Sequence, residues 1–247
     1  MQEKSALGRA MEMVRELRRR CPWDRVQTRE TLRPYLVEEV HELDHAIAQA
    51  DPAAIRDEVS DLLLHLAWQL VLAEELREFT PDDAASSLES KMKRRHPHLF
   101  ELGPAEEWET LKRREAEQSG APAGILEGLP ASLPELLMAY RLQERAAVVG
   151  FDWPDRTGPA AKVREELAEV EAETTADRLD AEIGDLLFAV VNLARKVGVR
   201  PGPALERANQ RFRRRFAVVE RLAAERNLTV HSAGLEMLDS LWNEAKR

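Results

Sequence analysis

Two stretches of the chain carry four carboxylates each at the same helical spacing. In "EELAEVEAETTADRLDAEIGDLL", Glu165 to Leu187, Glu166 and Glu169 are followed by Glu182 and Asp185. In "EEVHELDHAIAQADPAAIRDEVSDLL", Glu38 to Leu63, Glu39 and Glu42 are followed by Glu58 and Asp61. Residues three apart on a helix project about 60° from one another and share a face. Each pair therefore points one way, and two short-linked antiparallel helices bring the two pairs together. Asp185 and Asp61 precede "LLFAVVNLAR" and "LLLHLAWQLVLA", which are apolar almost all round, so both are expected on buried helices. Carboxylates gathered there repel one another, and each costs several kcal/mol to bury unpaired. A divalent cation removes both penalties. An all-oxygen set suits Mg2+, with Mn2+ as the alternative. A helical di-iron site needs Glu-x-x-His on two helices; only Glu38 and His41 make that spacing, so His41 is read as a packed or surface residue. Glu171 and Glu173 are read as a solvated face.

Beyond each acidic stretch lies a basic cluster, "KMKRRH" (Lys91–His96) and "RFRRRF" (Arg211–Phe216). Mg2+ held by few protein groups shares its shell with substrate phosphates. Arg211 and Arg215, four apart on one helical face, are placed to meet them.

Helical periodicity dominates the elements that must position these groups. Helices are expected at about 5–20, 28–50, 52–78, 81–95 and 105–118, then at about 134–149, 157–173, 177–197, 201–225 and 232–246. Pro52, Pro81 and Pro134 stand where a first helical turn tolerates proline, and no alternating strand pattern occurs. "SGAPAGILEGLPASLP" has the Gly/Pro density of a linker over 119–134. It separates a unit at 1–118 from a second at 135–247. "CPWD" precedes the first acidic stretch and "FDWPD" the second, so the halves read as a duplicated helical unit. The fold class expected is all-α, two tandem helical bundles.

Composition narrows the function classes. Forty-five acidic against 36 basic residues leave a net charge of −9, which disfavours stable binding to a phosphate backbone. The single cysteine, Cys21, excludes an internal disulfide and fits a reducing cytoplasm; it reads as a small packed residue. No apolar run is long enough to span a bilayer, and the N-terminal stretch is an amphipathic stripe rather than a signal peptide.

The ordered set of motifs resembles the all-α nucleoside triphosphate pyrophosphohydrolases, and more closely their tandem MazG-type members. "CPWDRVQT", "LVEEVHEL", "RRHPHLF", "RLQERAAVVGFDW", "EIGDLLFAVVNLAR" and "ANQRFRRRF" carry the likeness over about residues 7–246. The resemblance implies Mg2+-dependent conversion of a nucleoside triphosphate and water to the monophosphate and pyrophosphate, and a homodimer. It implies metal ligation by Glu166, Glu169, Glu182 and Asp185, and in the first half by Glu39, Glu42, Glu58 and Asp61. Glu165 or Glu166 would accept the proton of the attacking water. Asn209, Arg211 and Arg215 match positions that orient the triphosphate, and Trp242 and Lys246 a nucleotide-binding pair. Ala181 departs from the acidic residue common at its position, and Arg211 from a common lysine. Glu89 stands opposite Asn209 when the basic clusters are aligned, so the second unit is expected to carry most of the turnover. The alternative is a helical nucleotide- or metal-binding regulatory protein without catalysis. Pyrophosphate release in Mg2+ but not in EDTA separates the two.

Overall fold

A computed structural model describes residues 5–100, 103–104 and 124–246, and every described regular element is helical. The helix expected at 105–118 lies outside the described residues. The chain divides into two compact units, Met1–Glu106 and Glu107–Arg247.

The first unit is built around one long helix. Its elements are α1 (Ala6–Arg20), the short α2 (Pro22–Arg25), α3 (Arg29–Gln49), α4 (Pro52–Leu76), α5 (Pro81–Arg95) and a 3-10 turn (Pro97–Leu99). Helix α4 is central: α1 and α3 both pack on it. Ala67, Trp68, Val71 and Leu72 of α4 meet Met11 and Val14 of α1 and Leu32 of α3 in the core. The "CPWDRVQT" segment is tied down by Arg18. Its guanidinium donates twice to Glu75 (2.7 and 2.6 Å) and to the carbonyls of Asp24 (3.0 Å) and Gln27 (3.2 Å), and it lies 5.3 Å from the Trp68 ring centroid. Pro34 does not break α3 but sits inside it, an interruption that packing against α4 overrides. The reversal from α3 to α4 is tight. Ala50 takes a left-handed φ of 54°, then Asp51 Oδ1 accepts from the amides of Ala53 (2.9 Å) and Ala54 (3.4 Å). Such a cap contributes about 1 kcal/mol, and Pro52 follows it at the first helical position. The turn fixes how Glu39 and Glu42 on α3 face Glu58 and Asp61 on α4.

The second unit comprises α6 (Glu135–Val148), α7 (Thr157–Ala172), α8 (Ala176–Lys196), α9 (Pro201–Glu225) and α10 (Gly234–Ala245). Helices α7 and α8 pack along their length, α6 lies against α8, and α9 against α10. Pro134 is the residue capping α6 rather than its first helical residue. The "FDWPD" segment fixes the start of α7. The Trp153 ring covers Gly158, where a Cβ would run into the ring carbons, so only glycine fits. Asp152 accepts from Lys196 (2.9 Å) and from both terminal nitrogens of Arg195 at the far end of α8. The Arg195 hydrogen bonds hold the Asp152 carboxyl down at about 2. Gln143, 6% exposed, donates from Nε2 to the Phe188 carbonyl at 2.8 Å and locks α6 onto α8. Val219, Ala223 and Leu241 form the core between α9 and α10.

Two sequence expectations are corrected here. Glu173 is not a solvated-face residue: its Oε1 accepts from the amides of Thr174 (2.7 Å) and Thr175 (2.9 Å) and from the Thr175 hydroxyl (3.0 Å). It thereby shapes the turn from α7 into α8. Helix α8 is not enclosed on all sides. Asp185 is exposed, and so are Ile183 (42%), Leu187 (54%), Phe188 (44%) and Val190 (43%). Neighbouring helices cover the stripe through Leu186, Ala189 and Leu193, and among the described residues the opposite apolar face is exposed.

Candidate metal and triphosphate site

In the second unit, α7 and α8 bring Glu166, Glu169 and Glu182 together, each offering an oxygen within 4.8 Å of the others. Glu166 is 4% exposed. Glu169 stands at the open edge, and burial, then repulsion from Glu166 and Glu182, raises its carboxyl above the ordinary range. Asp185, expected with these three, lies on the same helix as Glu182 but outside the close group.

One neighbour was not anticipated. Lys162 lies one turn before Glu166, and its ammonium sits 2.5 Å from Glu166 and 2.8 Å from Glu165. Both carboxylates hold its proton more firmly than water does, with the Glu165 hydrogen bond the larger contribution. The i, i+4 spacing of Lys162 and Glu166 was a usable sequence signal; the carboxylate pattern alone drew attention away from it.

The first unit repeats the arrangement with different electrostatics. Glu39, Glu42 and Glu58 offer oxygens within 4.8 Å of one another. Burial raises the Glu39 carboxyl, with Asp61 the next cause, and burial then Glu42 raises that of Glu58. Asp61 lies outside the close group but near enough for its charge to act on both glutamates. Tyr35 stands where the second unit has Lys162, so no ammonium from that position enters the cluster. One oxygen of Glu39, Oε2, is buried and finds no hydrogen-bond partner in the protein. Three carboxylates pressed together, one of them carrying an orphaned oxygen, are the donor set a hard divalent cation satisfies. His41 is exposed, and Cys21 is partly buried with a free thiol.

The C-terminal helices assemble a second group. Trp242 of α10 has the Arg215 guanidinium 6.0 Å and the Lys246 ammonium 5.9 Å from its ring centroid. Phe212 of α9 packs against Trp242 at 5.2 Å and against Phe216 at 5.9 Å. Cations over an aromatic face are held by its quadrupole at about 0.5–1 kcal/mol each where exposed. Arg215, Trp242 and Lys246 thus share one surface of the α9–α10 pair. Asn209 and Arg211 are exposed further toward the start of α9.

The comparison with known proteins accords with this layout. Residues 27–100 match the MazG nucleotide pyrophosphohydrolase domain. The nucleoside triphosphate pyrophosphohydrolase of Escherichia coli is 39% identical over 249 aligned residues, covering 96% of this chain and 94% of that protein. The chain belongs to the MazG family. A MazG protein of Thermotoga maritima, described as a nucleoside triphosphate pyrophosphohydrolase/pyrophosphatase, is likewise 39% identical, over 92% of this chain and 89% of its own length. The all-α architecture expected of a MazG protein is the one observed. None of the described helices is long and apolar enough to cross a membrane.

Proposed function

We propose that this chain hydrolyses nucleoside triphosphates to the monophosphate and pyrophosphate, in the cytoplasm, with the second unit as the principal catalytic site. The observation that carries the reading is the convergence of Glu166, Glu169 and Glu182 from two helices in a chain that resembles pyrophosphohydrolases over nearly its full length. These three, with Asp185 on the same face of α8, would hold Mg2+, or Mn2+ in its place. The bound cation supplies neutralisation of the triphosphate and a more acidic water. The chain's own residues do the rest. Arg215, Lys246 and, nearer the start of α9, Arg211 and Asn209 meet the phosphates, and the Trp242 ring offers a stacking face to the base. A carboxylate on α7, Glu165 or Glu166, accepts the proton of the attacking water. Lys162, within 2.8 Å of Glu165 and 2.5 Å of Glu166, positions both side chains.

Attack at the α-phosphorus fixes the products. ATP in 18O-labelled water is expected to give AMP carrying the label, and unlabelled pyrophosphate. ADP and orthophosphate as primary products would overturn the assignment, even with activity present.

A homodimer belongs to the same reading. Ile183, Leu187 and Val190 form a bare apolar face beside the acidic group, and a second copy is the occupant expected from the family likeness. Light scattering should give twice the 28.1 kDa chain mass, falling to the monomer value in Leu187→Glu. A monomeric wild-type protein at micromolar concentration would sink this part of the proposal.

A further inference from the structure

His65 is the one histidine of the chain that is nearly enclosed, at 6% exposed. Its Nδ1 is buried and finds no hydrogen-bond partner in the protein. On α4 it follows Glu58 by seven residues and Asp61 by four. It therefore sits about 20° round the helix from Glu58 and about 40° from Asp61, roughly 10 Å and 6 Å further along the axis respectively. The same stripe continues to Trp68 and Leu72 in the core. His65 thus stands on the side of α4 that carries Glu58 and Asp61, one turn beyond Asp61 toward the apolar interior and outside the close group of Glu39, Glu42 and Glu58. The Asp61 carboxylate lies near enough for its charge to act on the imidazole, as it also acts on Glu39.

Among the described residues of the first unit, Glu39 Oε2 and His65 Nδ1 are buried and unpartnered, and the charge of Asp61 acts on both side chains. The second unit has its own unpartnered buried atoms, Gln143 Oε1 and Arg195 Nε, but no histidine in the place of His65. When Glu58 and Asp61 are aligned with Glu182 and Asp185, the place of His65 falls on Ala189, which is buried and apolar. An apolar residue fills that volume without cost. A histidine with an open ring nitrogen is costly to bury unless something takes the lone pair or the proton.

We propose that the first unit holds a mixed carboxylate–imidazole metal site, with Glu39, Glu42, Glu58 and Asp61 as oxygen donors and His65 as a nitrogen donor. Imidazole favours borderline transition ions over Mg2+, and a carboxylate set alone does not. The two units would then differ in the ion they take: a transition ion such as Mn2+, Co2+ or Zn2+ in the first, Mg2+ in the second. This rests on the reading that the carboxylate groups are metal sites at all.

The test uses the full-length chain carrying Glu169→Ala and Glu182→Ala, so that only the first site remains, with Mn2+ as the probe. Pulsed electron paramagnetic resonance of bound Mn2+ should show coupling to a 14N nucleus. His65→Gln should abolish that coupling and weaken Mn2+ binding about tenfold or more, with Mg2+ affinity changed less than twofold. Helicity of the variant is checked by circular dichroism, and the 14N signal in the background protein needs no substitution at His65. Tight Mn2+ binding without 14N coupling would overturn the imidazole donor and leave the carboxylate reading standing. No Mn2+ binding in this background would overturn both for the first unit.

Discussion

Full-length protein carrying Glu169→Ala with Glu182→Ala is expected to lose pyrophosphate release by about a hundredfold or more, while Glu42→Ala with Glu58→Ala retains most of it. Both pairs remove two of the three carboxylates that share a close group in their unit, so the perturbations are matched. The difference lies in what surrounds each group. In the second unit Lys162 lies 2.5 Å from Glu166, and the Arg215, Trp242 and Lys246 assembly stands on the α9–α10 pair. In the first unit Tyr35 replaces the lysine. Glu89, at the place of Asn209, adds a negative charge that Lys93 faces only at 3.9 Å. A triphosphate approaching Glu89 meets repulsion where Asn209 offers an amide. Opposing this, residues 27–100 are the part that matches the family domain, and the first unit keeps its acidic set complete, with Asp57 where the second has Ala181. Loss of activity from the first pair and retention in the second would reverse the assignment. Comparable partial losses would mean two working sites. Circular dichroism on each variant separates loss of chemistry from loss of fold.

The helices were legible because they rest on local signals. Pro52 after Asp51 and Pro81 after Thr80 mark helix starts by cap chemistry, and the observed ends of α1, α3 and α5 fall within a residue or so of those expected. The meeting of Glu166, Glu169 and Glu182 was legible for a similar reason: i, i+3 spacing and a short turn leave two helices few ways to pack. What escaped depends on the third dimension. Glu173 reads as one more acidic residue, yet its position at the end of α7 makes it an acceptor for the next two amides. The apolar run after Asp185 reads as enclosed, yet Leu187, Phe188 and Val190 face outward. Periodicity reports how apolar a helix is, not whether one's own chain or another copy covers it. Asp152 with Arg195 and Lys196 was invisible because its partners stand far along the sequence.

Mg2+ or Mn2+ is expected to raise the melting temperature, and by more at neutral than at acid pH. The sign follows from the shifted carboxyls. Those of Glu39, Glu58 and Glu169 are all raised by burial and by their acidic neighbours. A carboxyl whose folded pKa is raised favours the native state below its unfolded pKa, near 4.3, and that contribution is lost as pH rises through the folded value. Above that window the metal-free protein carries the repulsion of the acidic groups in full. A cation binds only the ionised set, so its stabilisation grows over the same window. At a hundredfold excess over its dissociation constant one ion contributes about 2.7 kcal/mol. For a chain of this size that is a rise of roughly 5–10 °C, measured by calorimetry at about pH 7.5 against EDTA, and a smaller one at about pH 4, where the raised carboxyls of Glu39, Glu58 and Glu169 favour the protonated form. Glu169→Gln removes a charge from the close group and should raise the metal-free melting temperature while shrinking the metal-induced rise. Asp185→Asn, outside that group, should shrink the rise less. Melting curves that ignore both chelator and metal at neutral pH would mean the acidic groups are tolerated repulsion and not a binding site.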